Sequence, residues 1–295
     1  MEKLMAEKIE GLVEDFRRNR LTRREFIQRA VILTGSLAAA TSLIDSLVLS
    51  PARAAQVDPN DPALISSDIK YSSTDGASIG AYLTRPKGEG SHAAVVVLHE
   101  NRGLVDHIRD VARRLAKAGY VALAPDLLSR QGGTGSFASP DAAIEAIGKI
   151  DEEVITKDLT GGINYLKGQN YVRANKIGVV GFCWSGGNAM LILTRNKDLA
   201  AGVVYYGRNP KNLDDVKNIS CPVLASYGEN DERITAGVPA LEEAMKKYGK
   251  SFEYKIYPGA PHAFNNDTNP QRYNAEAAKD AWSRTLEFFK KNLQS

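Results

Sequence analysis

The sequence predicts an α/β fold, a mostly parallel sheet covered by helices on both faces, three layers in all. Three observations carry that prediction. Continuous apolar runs such as Ala93-Ala94-Val95-Val96-Val97-Leu98 read as strands buried on both faces. From there to the C-terminus, such runs alternate with stretches of helical length, which favours parallel strands joined by crossover helices. Between the strand-like Lys176-Ile177-Gly178-Val179-Val180 and an apolar helical run stands Gly181-Phe182-Cys183-Trp184-Ser185-Gly186-Gly187. Small residues two before and two after Cys183 let strand and helix pass at a sharp turn, with the cysteine at its tip.

Residues 1–20 form a charged, helix-prone leader. Thr22-Arg23-Arg24-Glu25-Phe26-Ile27-Gln28 follows, then a moderately apolar run from Ala30 to Leu49, then Ala52-Arg53-Ala54. Paired arginines, apolar run and a small-x-small site in that order resemble a twin-arginine (Tat) export signal cleaved before Ala55. The Tat export machinery is therefore an expected partner of residues 1–54, and the periplasm the expected location. Asp45 and the many small residues argue against a permanent membrane span. Polar, Pro-containing residues 55–66 read as a linker, with the folded domain over 67–295. A Thr74-Asp75-Gly76 turn predicts a hairpin of strands Asp68 to Ser72 and Ser78 to Thr84. After the Ala93 to Leu98 strand, a helix is expected over Asp106 to Ala118, a strand over Tyr120 to Ala124, a Gly/Ser loop over Ser129 to Ser139, and helices within 140–169. Past Cys183 come a helix to about Thr194, strands Gly202 to Tyr206 and Val223 to Tyr227, and a helix Val238 to Tyr248. A strand Phe252 to Tyr257 and a helix Ala275 to Leu293 complete the chain.

Of the 38 basic and 35 acidic residues, nine and seven lie in residues 1–54, leaving 29 against 28. That balance excludes a nucleic-acid footprint. Only Cys183 and Cys221 are present, so there is no disulfide framework. Cys221 opens its strand and Cys183 lies just past the end of another. In a parallel sheet these are opposite edges, roughly five residues at about 3.3 Å each apart, beyond disulfide reach. No His/Cys/Asp spacing resembles a metal-ligand set, and no cofactor is expected.

A nucleophile at such a turn needs a base and an orienting acid, which in this architecture come later in the chain, acid before histidine. Of His92, His99, His107 and His262, only His262 follows Cys183, in the turn-rich Pro258-Gly259-Ala260-Pro261-His262-Ala263-Phe264. For the acid, Tyr227-Gly228-Glu229-Asn230-Asp231 offers Asp231, with Glu229 as competitor; the Gly turn carries the chain over the sheet edge before Asp231. A thiolate is the reactive form of cysteine, and a helix N-terminus and an imidazole both favour it. His262 would take the thiol proton and return one to the leaving group, while Asp231 fixes its tautomer. The backbone N–H of Trp184 and a second N–H from the loop after Leu98 would hold an oxyanion. Ser185 is a competing nucleophile by pattern but falls within the first helical turn. The other three histidines read as structural or surface residues, and Cys221 as packing.

The Cys183 turn, His99-Glu100-Asn101-Arg102-Gly103, Ala124-Pro125-Asp126-Leu127, the Gly-x-x-Asp of Gly228 to Asp231, and Gly259 to Phe264 together resemble the dienelactone hydrolase family over roughly residues 67–293. The resemblance implies an α/β-hydrolase fold and a Cys-His-Asp triad at Cys183, His262 and Asp231. It implies that Glu100 pairs with the cysteine and that the Asn101 N–H completes the oxyanion hole. It also implies Arg130 as one of two substrate-carboxylate ligands. The second has no counterpart, because Asn266 stands four residues past His262; Arg102 or Arg272 would have to substitute. Ser185 replaces a glycine of the family's pattern. A capping or ion-pair role for Glu100, and a solvated charge at Arg130, are the plainer readings.

The expected function is cleavage of a small ester or lactone through a thioester at Cys183. The alternatives are a non-catalytic small-molecule-binding protein on the same fold, and a thiol redox role that lacks a resolving cysteine.

Overall fold

The computed structural model describes residues 8, 11, 12, 15, 21, 23–34 and 55–294. The chain divides after Ala54 into two units. In the first, helix α1 spans Arg23–Thr34. The rest of the apolar run, Ala52-Arg53-Ala54 and the side chains of Arg23 and Arg24 lie outside the described residues. Among those described, no helix is long and apolar enough to cross a membrane.

The second unit is built on eight strands: β1 Leu64–Ser72, β2 Ser78–Pro86, β3 His92–Leu98, β4 Val121–Pro125, β5 Val172–Phe182, β6 Ala201–Tyr205, β7 Val223–Asn230 and β8 Phe252–Pro261. They lie side by side in the order β1-β2-β4-β3-β5-β6-β7-β8. The pairings β1/β2 and β2/β4 are antiparallel, and the other five are parallel. Helices are α2 Asp106–Lys117, α3 Pro140–Gly148, α4 Glu152–Lys167, α5 Trp184–Arg195, the single turn α6 Glu232–Thr235, α7 Val238–Lys247 and α8 Ala275–Leu293.

Alternation along the central strands divides the core in two. On β3, Ala94, Val96 and Leu98 pack with α4, α5 and α7, whereas Ala93, Val95 and Val97 pack with α2 and α8. A strand buried on both faces has no polar side to show, which is why its sequence is apolar throughout. Helix starts follow local chemistry. Ser139 accepts from the Ala142 N–H at the head of α3, and Asp151 from the Glu153 N–H at the head of α4.

Two boundaries differ from expectation. Strand β1 begins at Leu64, inside the expected linker. Ahead of it, the Val57 N–H donates to Asp110 and Arg113 Nε donates to the Val57 carbonyl, so that stretch is fastened to α2. Strand β8 continues through Pro258 and Gly259 to Pro261. Gly259, with φ +64°, absorbs a register shift opposite Gly228 and Asn230. The shift is closed by Glu229, which accepts from the Gly259 N–H at 2.7 Å, and by Asn230, which donates to the Gly259 carbonyl at 3.1 Å.

Candidate active site

Strand register alone brings the candidate residues together. Leu98 is level with Gly181, Phe182 with Tyr205, and Tyr205 with Ser226. Asn230 is level with Pro261, so Asp231 and His262 each follow paired residues on neighbouring strands. All of them therefore leave the carboxyl edge of the sheet, where parallel α/β sheets form their clefts.

Cys183 occupies the strand-to-helix turn with φ +57° and ψ −118°, and its N–H donates to the Tyr205 carbonyl at 3.1 Å. That left-handed backbone, costly for a residue with a Cβ, keeps the thiol out of the helix and half-exposed. Two glycines allow the turn. A Cβ on Gly181 would lie 2.0 Å from the Ser185 carbonyl oxygen, and one on Gly186 would lie 2.6 Å from the Gly207 Cα. Ser185 is fully buried in the first turn of α5 and is absent from the cleft lining. Cys221 is buried too, its thiol pushed up to about 12 by desolvation.

His262 Nε2 lies 3.0 Å from the Cys183 sulfur, and its Nδ1 is paired with Asp231. Burial, the largest single influence, lowers the affinity of this imidazole for a proton. The hydrogen bonds to Asp231 and Cys183, with their charges, outweigh it and raise the pKa to about 9. An imidazolium beside the sulfur is thus the form favoured at neutral pH. Asp231 is buried, whereas Glu229 is exposed and engaged at the β8 shift. The ring of Tyr206 sits 5.1 Å from that of His262. Burial first, then the neighbouring Glu100 and Cys183, keeps the Tyr206 hydroxyl protonated.

Glu100 and Asn101 follow β3, and Trp184 follows Cys183. His99 Nε2 accepts from the Leu127 N–H at 3.1 Å, so its proton is on Nδ1, which donates to the Glu100 carbonyl at 2.6 Å. Complete burial, only partly opposed by that bond, lowers its pKa and keeps the ring neutral. The ring stacks on Trp184 at 5.9 Å. His99 thereby fixes the loop that carries Asn101, which lines the cleft with Cys183, Trp184 and His262. The Glu100 carboxylate is not paired with Cys183. It accepts from Asn266 Nδ2 at 2.6 Å and from the Tyr206 hydroxyl at 3.4 Å.

Arg130 is not brought to the cleft. Its Nη2 and Nε bind Asp158 at 2.7 and 3.1 Å, and Nη2 also reaches Asp75 at 2.8 Å and Ser73 at 3.2 Å. These contacts tie the β1–β2 turn to α4, and Asp158, only 2% exposed, needs such a partner. Its place as a substrate ligand is corrected accordingly: the guanidinium is consumed within the fold. Arg102 and Arg272 are exposed and also outside the cleft lining. The cleft, about 370 Å³, is lined instead by Arg195, Arg208 and Arg233. Arg208 follows β6 directly, in Tyr205-Tyr206-Gly207-Arg208; its position at the carboxyl end of a parallel strand was the available signal. Among the described residues, no group of three His, Cys, Asp or Glu is placed to hold a metal ion.

The fold and the cysteine at the strand-to-helix turn define an α/β-hydrolase. The pattern of the Dienelactone hydrolase family matches residues 79–293, and the chain belongs to that family, a lactone or ester hydrolase. A "Putative carboxymethylenebutenolidase" of Methylorubrum extorquens is 34% identical over 275 residues, covering 90% of this chain and 93% of its own. Another of that name, from Saccharolobus solfataricus, is 37% identical over 259 residues, covering 76% and 98%. Among solved structures, the "Putative Dienelactone Hydrolase" of Klebsiella pneumoniae superposes with a TM-score of 0.71 at 31% identity, covering 78% of this chain and 99% of that one.

Proposed function

We propose that the protein opens a small carboxylic ester or lactone by covalent catalysis, with Cys183 as nucleophile, His262 as acid and base, and Asp231 as the group that orients it. The observation that carries this reading is the continuous contact from the Cys183 sulfur to His262 Nε2 at 3.0 Å and from Nδ1 to Asp231. The sulfur attacks the carbonyl carbon, and the resulting oxyanion is held by the N–H groups of Trp184 and Asn101. Collapse expels the alkoxide, which takes a proton from His262 and leaves a thioester on Cys183. Water then attacks the thioester, giving its proton to His262 and releasing acid and thiolate. Glu100 is held by Asn266 and by Tyr206, whose ring packs against that of His262. Family membership favours this reading over a non-hydrolytic binding protein on the same fold.

Turnover of a panel of aryl esters and lactones by the chain from Ala55 onward is the test. Cys183→Ala is expected to lower kcat by at least about a thousandfold; turnover equal to wild type would sink the reading. We propose further that residues 1–54 direct Tat-dependent export. Fractionation of cells carrying Arg23→Lys together with Arg24→Lys should find the protein retained inside, and unchanged export would exclude that route.

A further inference from the structure

Residues 55–57 lie ahead of the stretch that the family pattern matches, and the sequence reads them as linker. In the structure they close a cluster of buried charges. The side chains of His107, Asp110, Arg113 and Arg114 on α2, and of Asp267 in the loop after β8, are each less than a tenth exposed. Arg114 joins the two carboxylates, its Nε donating to Asp110 at 2.6 Å and its Nη2 to Asp267 at 2.9 Å. His107 Nδ1 stands 3.2 Å from the other Asp267 oxygen. From the N-terminal side, Gln56 Nε2 donates to Asp267 at 2.8 Å, the Val57 N–H donates to Asp110 at 2.9 Å, and the Val57 carbonyl accepts from Arg113 Nε at 2.9 Å. Burial opposes ionisation of Asp267, but His107, Arg114 and Gln56 outweigh it and hold its carboxyl well below the usual carboxylate range.

Asp267 belongs to the loop that presents the catalytic base, five residues past His262. Directly after His262 stands Ala263 with φ +64°, a left-handed backbone that a residue with a Cβ keeps only where surrounding contacts enforce it. Those contacts are on the C-terminal side of the turn. Phe264 is fully buried against Tyr205, Tyr206 and Tyr257. The Asn266 N–H donates to the Ala263 carbonyl at 3.0 Å, while its side chain holds Glu100. Asp267 is the last anchor, and Gln56 completes it from 211 positions away. A second fastening of the same N-terminal segment does not reach this loop: Lys117 Nζ pairs with Asp61 at 2.9 Å, at the C-terminal end of α2.

We propose that Gln56 and Asp267 are positioning residues for His262: the segment just past the expected leader cleavage site straps the loop, and the imidazole keeps its alignment on Cys183 only while that strap is closed. This rests on the Cys183–His262 reading.

The test follows alkylation of Cys183 by iodoacetamide in the chain from Ala55 onward, which forms a compact unit of its own. Cys221, buried and protonated, contributes little to the signal. Gln56→Ala should slow alkylation at pH 7 by about threefold and lower kcat for 4-nitrophenyl acetate by about fivefold with KM unchanged, and Asp267→Asn should lower kcat by about thirtyfold. Gln56→Glu sets a carboxylate against Asp267. It should match Gln56→Ala at pH 8 and return toward the wild-type rate, compared at each pH, near pH 5, as the added carboxyl takes a proton and donates it to Asp267 in a hydrogen bond. Lys117→Gln should alter neither rate. A Gln56→Ala protein that loses stability in urea but keeps wild-type alkylation and kcat would overturn the proposal, as would an equal loss in Lys117→Gln. If wild type and His262→Ala are alkylated at the same rate, the thiolate reading of Cys183 fails instead. Hydrogen exchange of the 262–267 amides, which does not involve the thiol, then decides the strap: faster exchange in Gln56→Ala supports it, and unchanged exchange overturns it.

Discussion

The loops after β4 and after β6 both leave the carboxyl edge of the sheet, and each carries an arginine. Around Arg130 stand Asp158, Asp75 and Ser73, two of them on the β1–β2 turn and one on α4, and they take its donors. Around Arg208 stand Gly187, Asn209 and the open cleft, and among the described residues its donors have no partner. The same side chain therefore holds the fold in one place and faces the open cleft in the other. What separates them is the partner, because a buried carboxylate such as Asp158 is costly unless paired, whereas a guanidinium at a cleft rim keeps its solvation until an anion arrives.

The largest effect on the catalytic side is expected from Asp231→Asn. It preserves the shape of the site but favours the wrong tautomer of His262, and kcat should fall by about 10³- to 10⁴-fold in steady-state assays with an unchanged circular dichroism spectrum. A loss under tenfold would mean that Asp231 does not orient the imidazole. Next, Arg130→Gln should lower unfolding free energy in urea by about 3 kcal/mol, since Asp158 loses its compensating charge. It should leave ester turnover by the folded protein unchanged. Arg208→Gln, at an exposed side chain, should change stability by no more than about 0.5 kcal/mol. If Arg130→Gln instead left stability unchanged, the contrast between the two loops would collapse. Asn266→Ala takes a hydrogen bond from the buried Glu100 carboxylate and should cost about 2 kcal/mol in the same urea titration.

The smallest effect is in the pH dependence of stability. The pKa of His262 is raised to about 9 in the folded protein, against about 6.5 unfolded. Its stabilisation is therefore fully present below about pH 6.5 and is lost as pH rises through about 9. The gap in Tm between wild type and His262→Ala should narrow across that window in scanning calorimetry. A gap that widened would place a neutral imidazole in the resting site.

Much of this site was legible before any coordinates. The continuous apolar run of β3, the small residues around Cys183 and a single downstream histidine are local or ordinal signals, and they survive unaltered in the structure. The choice of Asp231 over Glu229 was only a preference, and the β7/β8 register settles the geometry: Asp231 follows Asn230, level with Pro261, while Glu229 closes the shift at Gly259. The extent of β8 was underread because Pro258 and Gly259 signal a turn, yet in an edge strand they are absorbed as an irregularity. Asn266 read as a missing arginine, whereas it holds Glu100.

By itself the sequence determined the layered sheet, the sharp turn at Cys183 and the order of the three candidate residues, because strand burial, backbone freedom and chain order are written in neighbouring residues. Only the tertiary structure decided which charges are spent and which are free. Arg130 meets Asp158 and Glu100 meets Asn266 across 28 and 166 positions, and no local pattern encodes those pairings. Partners so distant in the chain become neighbours only when the sheet is assembled, and the same assembly leaves Arg208 facing the cleft.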